Sequence, residues 1–181
     1  MKYIWLFIKK TLRLLLKPLS FVPAILVACM IFSFSADNGI QSTEESLTFT
    51  RRIVVEYNER FEKGWDEGQI SIYTWKLERY VRKAAHMAEY CLFAITLSIP
   101  LYVYGLRGFP LIVVTVGICA AYACTDEYHQ LYSAGRTASG RDVLIDSGGA
   151  LIGALIGALT GRFVSWLGSA TIFRPLRMKK R

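Results

Sequence analysis

Three separated segments carry the residue types that could do chemistry. In the first, Arg82, His86 and Glu89 stand four and three residues apart, a spacing that puts them on one face of a helix. The second reads Thr125-Asp126-Glu127-Tyr128-His129-Gln130, and the third holds Arg136, Arg141, Asp142 and Asp146, the last two again four apart. His86, Glu89, Asp126 and Glu127 include proton donors, proton acceptors and metal ligands, while Arg136 and Arg141 could clasp a phosphate. A His-x-x-Glu plus an Asp-Glu pair could hold one divalent cation, but no ligand spacing here is diagnostic of a metal. No Ser-His-Asp order or nucleophile elbow accompanies these groups. Three readings follow: catalysis, recognition without turnover, and a polar network that only holds helices together.

The elements that must position these residues are membrane spans. Apolar residues make up 53% of the 181-residue chain and gather into four blocks, at about 19–34, 84–104, 109–124 and 143–161. A helix needs roughly 17–25 residues to cross the hydrocarbon core, so the second and fourth fit unaided and the first and third must borrow flanking residues. Glu89 and Asp146 are the only Asp, Glu, Lys or Arg residues inside the blocks. A charge there costs about 2.5–3.5 kcal/mol on insertion scales, so both are expected to face the bundle interior and find partners, with Arg82, Arg136 and Arg141 available. The expected architecture is an all-α integral membrane protein, a bundle of four transmembrane helices with an extracytoplasmic helical loop.

Charge orients the bundle. Lys2, Lys9, Lys10, Arg13 and Lys17 precede the first block, and Arg162, Arg174, Arg177, Lys179, Lys180 and Arg181 follow the last. Segment 35–83 holds eight Lys/Arg against nine Asp/Glu, so the net charge of +8 sits at the termini. That distribution argues for positive-inside topology and anionic-lipid contact, not for nucleic acid. Both termini are then cytoplasmic, and the loops 35–83 and 125–142 lie outside. At 100° per residue the basic residues of 1–17 fall within about 100° of arc on an otherwise apolar helix, so residues 1–18 suit the membrane surface as an interfacial amphipathic segment. This start imitates a signal peptide, but its long apolar basic region favours an uncleaved anchor. Residues 19–168 form the transmembrane domain, and 169–181 a basic cytoplasmic tail.

Within the outer loop, Ser42-Thr43-Glu44-Glu45 reads as a capping box opening a helix from about residue 43 to 63, broken at Gly64. A second helix is expected from near Ile70 straight into the second span. Gly105-Leu106-Arg107-Gly108 is short enough only for a helical hairpin. Gly149, Gly153, Gly157 and Gly161 repeat every four residues along the last span, a stripe that lets a neighbouring backbone come close. That neighbour is expected within the chain, with a second copy in a homo-oligomer as the alternative. The four cysteines all lie in apolar blocks and form no Cys-x-x-Cys pair, so they read as buried free thiols rather than a disulfide or zinc framework.

Arg82-Lys83-Ala84-Ala85-His86-Met87-Ala88-Glu89-Tyr90, then Thr125-Asp126-Glu127-Tyr128-His129-Gln130, then Gly135-Arg136 and Asp142-Val143-Leu144-Ile145-Asp146 before a glycine-rich helix, resemble the VanZ-like family. The resemblance covers nearly the whole chain up to about Thr171. It implies a bacterial membrane protein of a family named for low-level resistance to the glycopeptide teicoplanin. It also adds Tyr90 and Gln130 to the site. A lipid-linked cell-wall precursor or a lipophilic glycopeptide becomes the expected partner, alongside the bilayer itself. The alternative is a structural or partner subunit.

Overall fold

The computed structural model describes residues 11, 17–36, 39–131 and 139–167. The amphipathic segment expected at the N-terminus, Gly135, Arg136 and the basic tail fall outside or almost wholly outside these residues. Those described form five long helices joined by short connections, with no strand. They are α1 (Val22–Ala36), α2 (Gly39–Arg60), α3 (Glu67–Val103), α4 (Phe109–Gln130) and α5 (Gly140–Leu167). Four stretches are long and apolar enough to cross a membrane: Lys17–Ser35, Glu67–Val103, Phe109–Gln130 and Gly140–Arg162. The chain is an all-helical membrane protein. As expected, the short first block borrows flanking residues, starting at Lys17.

Most boundaries that differ from the sequence reading do so by extending a helix, although α2 stops at Arg60, three residues short of the expected end. The helix expected from residue 43 begins at Gly39. Thr43 therefore lies inside it, and its hydroxyl accepts from the Arg82 guanidinium at 3.0 Å instead of serving a cap. α4 runs on past residue 124 through Asp126 and Glu127 to Gln130, so these side chains ride on a helix rather than a loop. α3 starts at Glu67 under a full capping box, Asp66 accepting from Gln69 N–H while the Gln69 side chain accepts from Asp66 N–H, a pairing that satisfies two orphan donors. It runs on through Pro100, near its end, and its 37 residues span about 55 Å.

The most extensive helix contact joins α3 to α5. A Cβ on Gly149 would collide with the Met87 carbonyl, and one on Gly153 with the Cys91 carbonyl, besides standing 2.9 Å from the Ala94 methyl. Gly157 meets Ser98 and Gly161 meets the Tyr102 ring in the same way. Partners rise along both helices together, so α3 and α5 run parallel. The glycine stripe thus packs within the chain. Buried Ala150, Ala154 and Ala158 continue α5's small-residue surface, and α4 buries Leu111, Thr115, Cys119 and Ala123 at four-residue spacing. Of the cysteines expected to be buried, Cys119 is; Cys91 is half-buried, and Cys29 and Cys124 are exposed on the bundle's surface, where lipid would meet them.

α1 runs antiparallel to α3 and parallel to α4. Phe21 meets Tyr104 at one end, the Tyr122 hydroxyl donates to the Ala28 carbonyl midway at 2.7 Å, and Phe32 meets the His129 ring at the other end. α2 folds back on the free part of α3 as a hairpin. The Arg51–Glu67 ion pair, the Trp65 N–H donated to Asn58 Oδ1 and the stack of Tyr57, Trp65 and Tyr73 hold it. One end of the bundle therefore gathers the start of α1, the end of α3 and the start of α4. The other gathers the end of α1, the hairpin, the end of α4 and the start of α5.

Close glycine contact makes a sharp prediction. Gly153→Leu should destabilise the bundle by about 1–3 kcal/mol or more, as overpacking does, because a backbone carbonyl cannot swing aside. Gly161→Leu should cost less, since it meets only an aromatic side chain. Thermal denaturation of the detergent-solubilised variants ranks them; equal melting temperatures would contradict this packing.

Candidate functional site

The hairpin end carries the polar residues, and the structure sorts them into two sets. The first lines a groove between the end of α1, α2 and α3. Arg82, His86 and Glu89 share one face of α3 there, as the spacing requires, and Glu45 and Ser46 of α2 face them. His86 Nδ1 lies 3.3 Å from Glu89 Oε2. Phe34, Phe49, Ile53, Val81, Ala84 and Ala85 form the remaining walls, and the groove encloses about 540 Å³. Arg82 is held against α2 through Thr43.

The second set lies inside the bundle, where α3, α4 and α5 meet. Tyr90, Asp126, Glu127, Gln130 and Asp146 are all buried. Gln130 donates to Asp126 Oδ2 at 3.2 Å. The Ser139 N–H donates to Glu127 Oε2 at 2.7 Å, tying the end of α4 to the start of α5, while the Ser139 hydroxyl accepts from the Arg141 N–H. Ser139 thus occupies the capping position of α5. Asp142 pairs with Lys83 at 2.9 Å, joining α5 to α3 one turn above the first glycine contact. Tyr90 Oη and Asp146 Oδ1 are buried without a hydrogen-bond partner among the described residues. Asp146 is close enough to His86, Asp126, Glu127 and Asp142 for electrostatic interaction with each.

The partners differ from those expected. Glu89 pairs with His86 rather than with Arg82, because the three-residue spacing brings imidazole and carboxylate together while Arg82 reaches across to α2. Arg141 is exposed on the first turn of α5 and makes no ion pair among the described residues, since its position on the helix turns it away from the interior. Arg136 lies outside the described residues. Among those described, no three His, Cys, Asp or Glu side chains converge as a metal site would require.

Sequence reasoning missed the α2 contribution altogether. Phe49 and Ile53 are four apart and line the groove; their signal was an apolar pair repeating at helical spacing within a charged segment. Lys83, a neighbour of Arg82 in the first motif, was also passed over. A second, smaller cleft of about 370 Å³ lies between α1 and α4, walled by Phe32, Tyr122, Thr125, Asp126, Tyr128 and His129.

The two sets should separate in stability measurements. Lys83 and Asp142 are each more than a third exposed, so solvent screens the pair and a double-mutant cycle of Lys83→Met and Asp142→Asn should give a coupling below about 1 kcal/mol. Glu127→Ala should cost about 1–3 kcal/mol, because it strips the acceptor from the Ser139 N–H. Thermal melts in detergent make the comparison, and the reverse order would contradict the assignment.

Comparison with known proteins gives one family. The family model described as VanZ/LLP1 matches residues 20–161, which include α1 to α4, nearly all of α5 and both polar sets. No curated protein and no solved structure matches the chain.

Proposed function

Since the chain belongs to the VanZ/LLP1 family, we propose that it sits in a bacterial cytoplasmic membrane and uses the groove between α2 and α3 to bind an amphipathic molecule at the outer face. The ligand class is a lipid-linked cell-envelope component or a lipophilic glycopeptide of the teicoplanin kind, and binding lowers susceptibility to the latter. The observation that carries this reading is the groove itself. One end presents Arg82, His86 and Glu89, and the walls are aromatic and aliphatic, the combination that recognises a polar group attached to an apolar one.

The outer assignment rests on charge. The basic residues beside the spans cluster at the end opposite the hairpin, as cytoplasmic flanks do, while the hairpin and its connections are close to neutral. A groove at the outer face meets wall precursors and antibiotics where they act. The Lys83–Asp142 and Glu127–Ser139 links support a separate, structural role for the interior set, because each joins two helices.

Two measurements test the proposal. His86→Gln and Glu89→Gln, each at wild-type membrane levels, should reduce protection against a lipophilic glycopeptide at least tenfold. Full protection from both would return these residues to a structural role. In a cysteine-free background, a cysteine replacing Arg60 should be labelled on intact cells by a membrane-impermeant maleimide, and one replacing Arg162 only after permeabilisation. The opposite pattern would put the groove inside the cell and end this reading.

A further inference from the structure

The groove's polarity runs against that of a bilayer lipid. Along α3, Glu89 and His86 lie nearest the middle of the bundle, and Ala85, Ala84, Arg82 and Val81 follow toward the hairpin tip. Polar side chains therefore run along α3 from Glu89 out to Arg82, whose guanidinium reaches back to Thr43 near the start of α2, while along α2 Glu45 and Ser46 lie deep and Phe49 and Ile53 carry the apolar wall outward. The Lys83–Asp142 pair marks the level at which α5 begins to flank α3. The 16 residues of α3 before that pair rise about 24 Å further, with α2 beside them.

The apolar wall does not stop at the groove. Phe49 and Ile53 line it, and Tyr57 and Phe61 follow at the same four-residue spacing toward the tip. All four are exposed, at 58%, 38%, 44% and 55%. From Phe49 to Phe61 the stripe runs about 18 Å along α2 and its end. Tyr57 lies against Phe61 and Trp65, with ring centroids 4.6 and 5.7 Å apart, and Trp65 stacks on Tyr73 at 4.3 Å, so an aromatic cluster closes the far end. Contiguous apolar surface of this kind, outside the spans, marks an interaction site.

We infer that groove and stripe form one track for a single aliphatic chain, carried by a molecule that arrives from the aqueous side with its polar group bound at Arg82, His86 and Glu89. This rests on the groove being the binding site proposed above. A bilayer lipid already in place would direct its chains toward the midplane, away from the stripe. An amphipathic helix would need anchor pockets at several positions across a broad groove, whereas the stripe is one side chain wide. A single chain laid along it gains apolar contact over its whole length and is kept from entering the bilayer.

The test uses the full chain in nanodiscs and a series of N-acyl derivatives of one glycopeptide core, from the unacylated core upward, with empty discs as the baseline. Affinity above that baseline should rise about fourfold per added methylene, then level off when the chain reaches Phe61. Phe61→Ser should flatten the rise for the longest chains alone, and Ile53→Ser for all but the shortest. Both residues are exposed, and unchanged melting temperatures would confirm that folding is intact. His86→Gln should weaken every member by the same factor. Binding that is independent of chain length, or insensitive to Phe61→Ser, would overturn the track while leaving the groove reading in place. A diacyl lipid of the bilayer captured by a photo-crosslinker at position 53 would overturn the aqueous-side source. No binding by any member above empty discs would remove the groove reading itself.

Discussion

The structure depends on two backbones touching. Where α5 meets α3, the Met87 and Cys91 carbonyls occupy the space that a methyl group on Gly149 or Gly153 would need. In a bilayer there is no hydrophobic gain from helix association, since lipid is as apolar as the helix surface, and close packing must supply the attraction. Contact at this distance also fixes register: a slide by one residue would bring a side chain against a carbonyl. Because α3 carries Arg82, Lys83, His86, Glu89 and Tyr90 while α5 carries Asp142 and Asp146, that register decides which polar groups face each other at the hairpin end.

Division of labour at that end follows from helix geometry. The α3 face toward α5 and α4 holds buried Tyr90 and the half-exposed Lys83, which links α3 to α5 through Asp142. Side chains a third of a turn away face α2, which approaches α3 only beyond the spans and leaves the groove between them. His86 stands at the boundary, bonded to Glu89 on the groove side and within electrostatic reach of buried Asp146. One turn of helix thus serves both a packing network and an accessible pocket.

The sequence made the spans, the hairpin connection at Gly105–Gly108, the continuous third helix and the glycine seam legible, because each has a local signature: apolar length, a short glycine-bounded turn, absence of a breaker, and four-residue repetition. The partners were less legible. Pairing of Lys83 with Asp142 depends on which of several nearby cations reaches which carboxylate, and that is settled by rotation of whole helices, whereas Glu89 meets His86 on its own helix. The groove was harder still, since Phe49 and Ile53 sit in a segment whose charges dominate its composition. Their meaning appears only once α2 folds back on α3. Most helix ends were underestimated because a membrane span and the helix that contains it are different lengths: Asp126, Glu127 and Gln130 are polar yet helical, having the buried ends of neighbouring helices to bond with.

The glycine seam joins segments more than fifty residues apart, and its second half is the last helix of the bundle to leave the ribosome. Chains are built from the N-terminus, so α1, α3 and α4 enter the membrane before α5 exists. During that interval the Met87 and Cys91 carbonyl ridge faces lipid, Lys83 lacks Asp142, and Glu127 lacks the Ser139 N–H. Lys83 and Glu127 stand without their eventual partners until α5 arrives. Assembly of this protein is therefore a late step, and the window before it is when membrane quality control has the most to recognise.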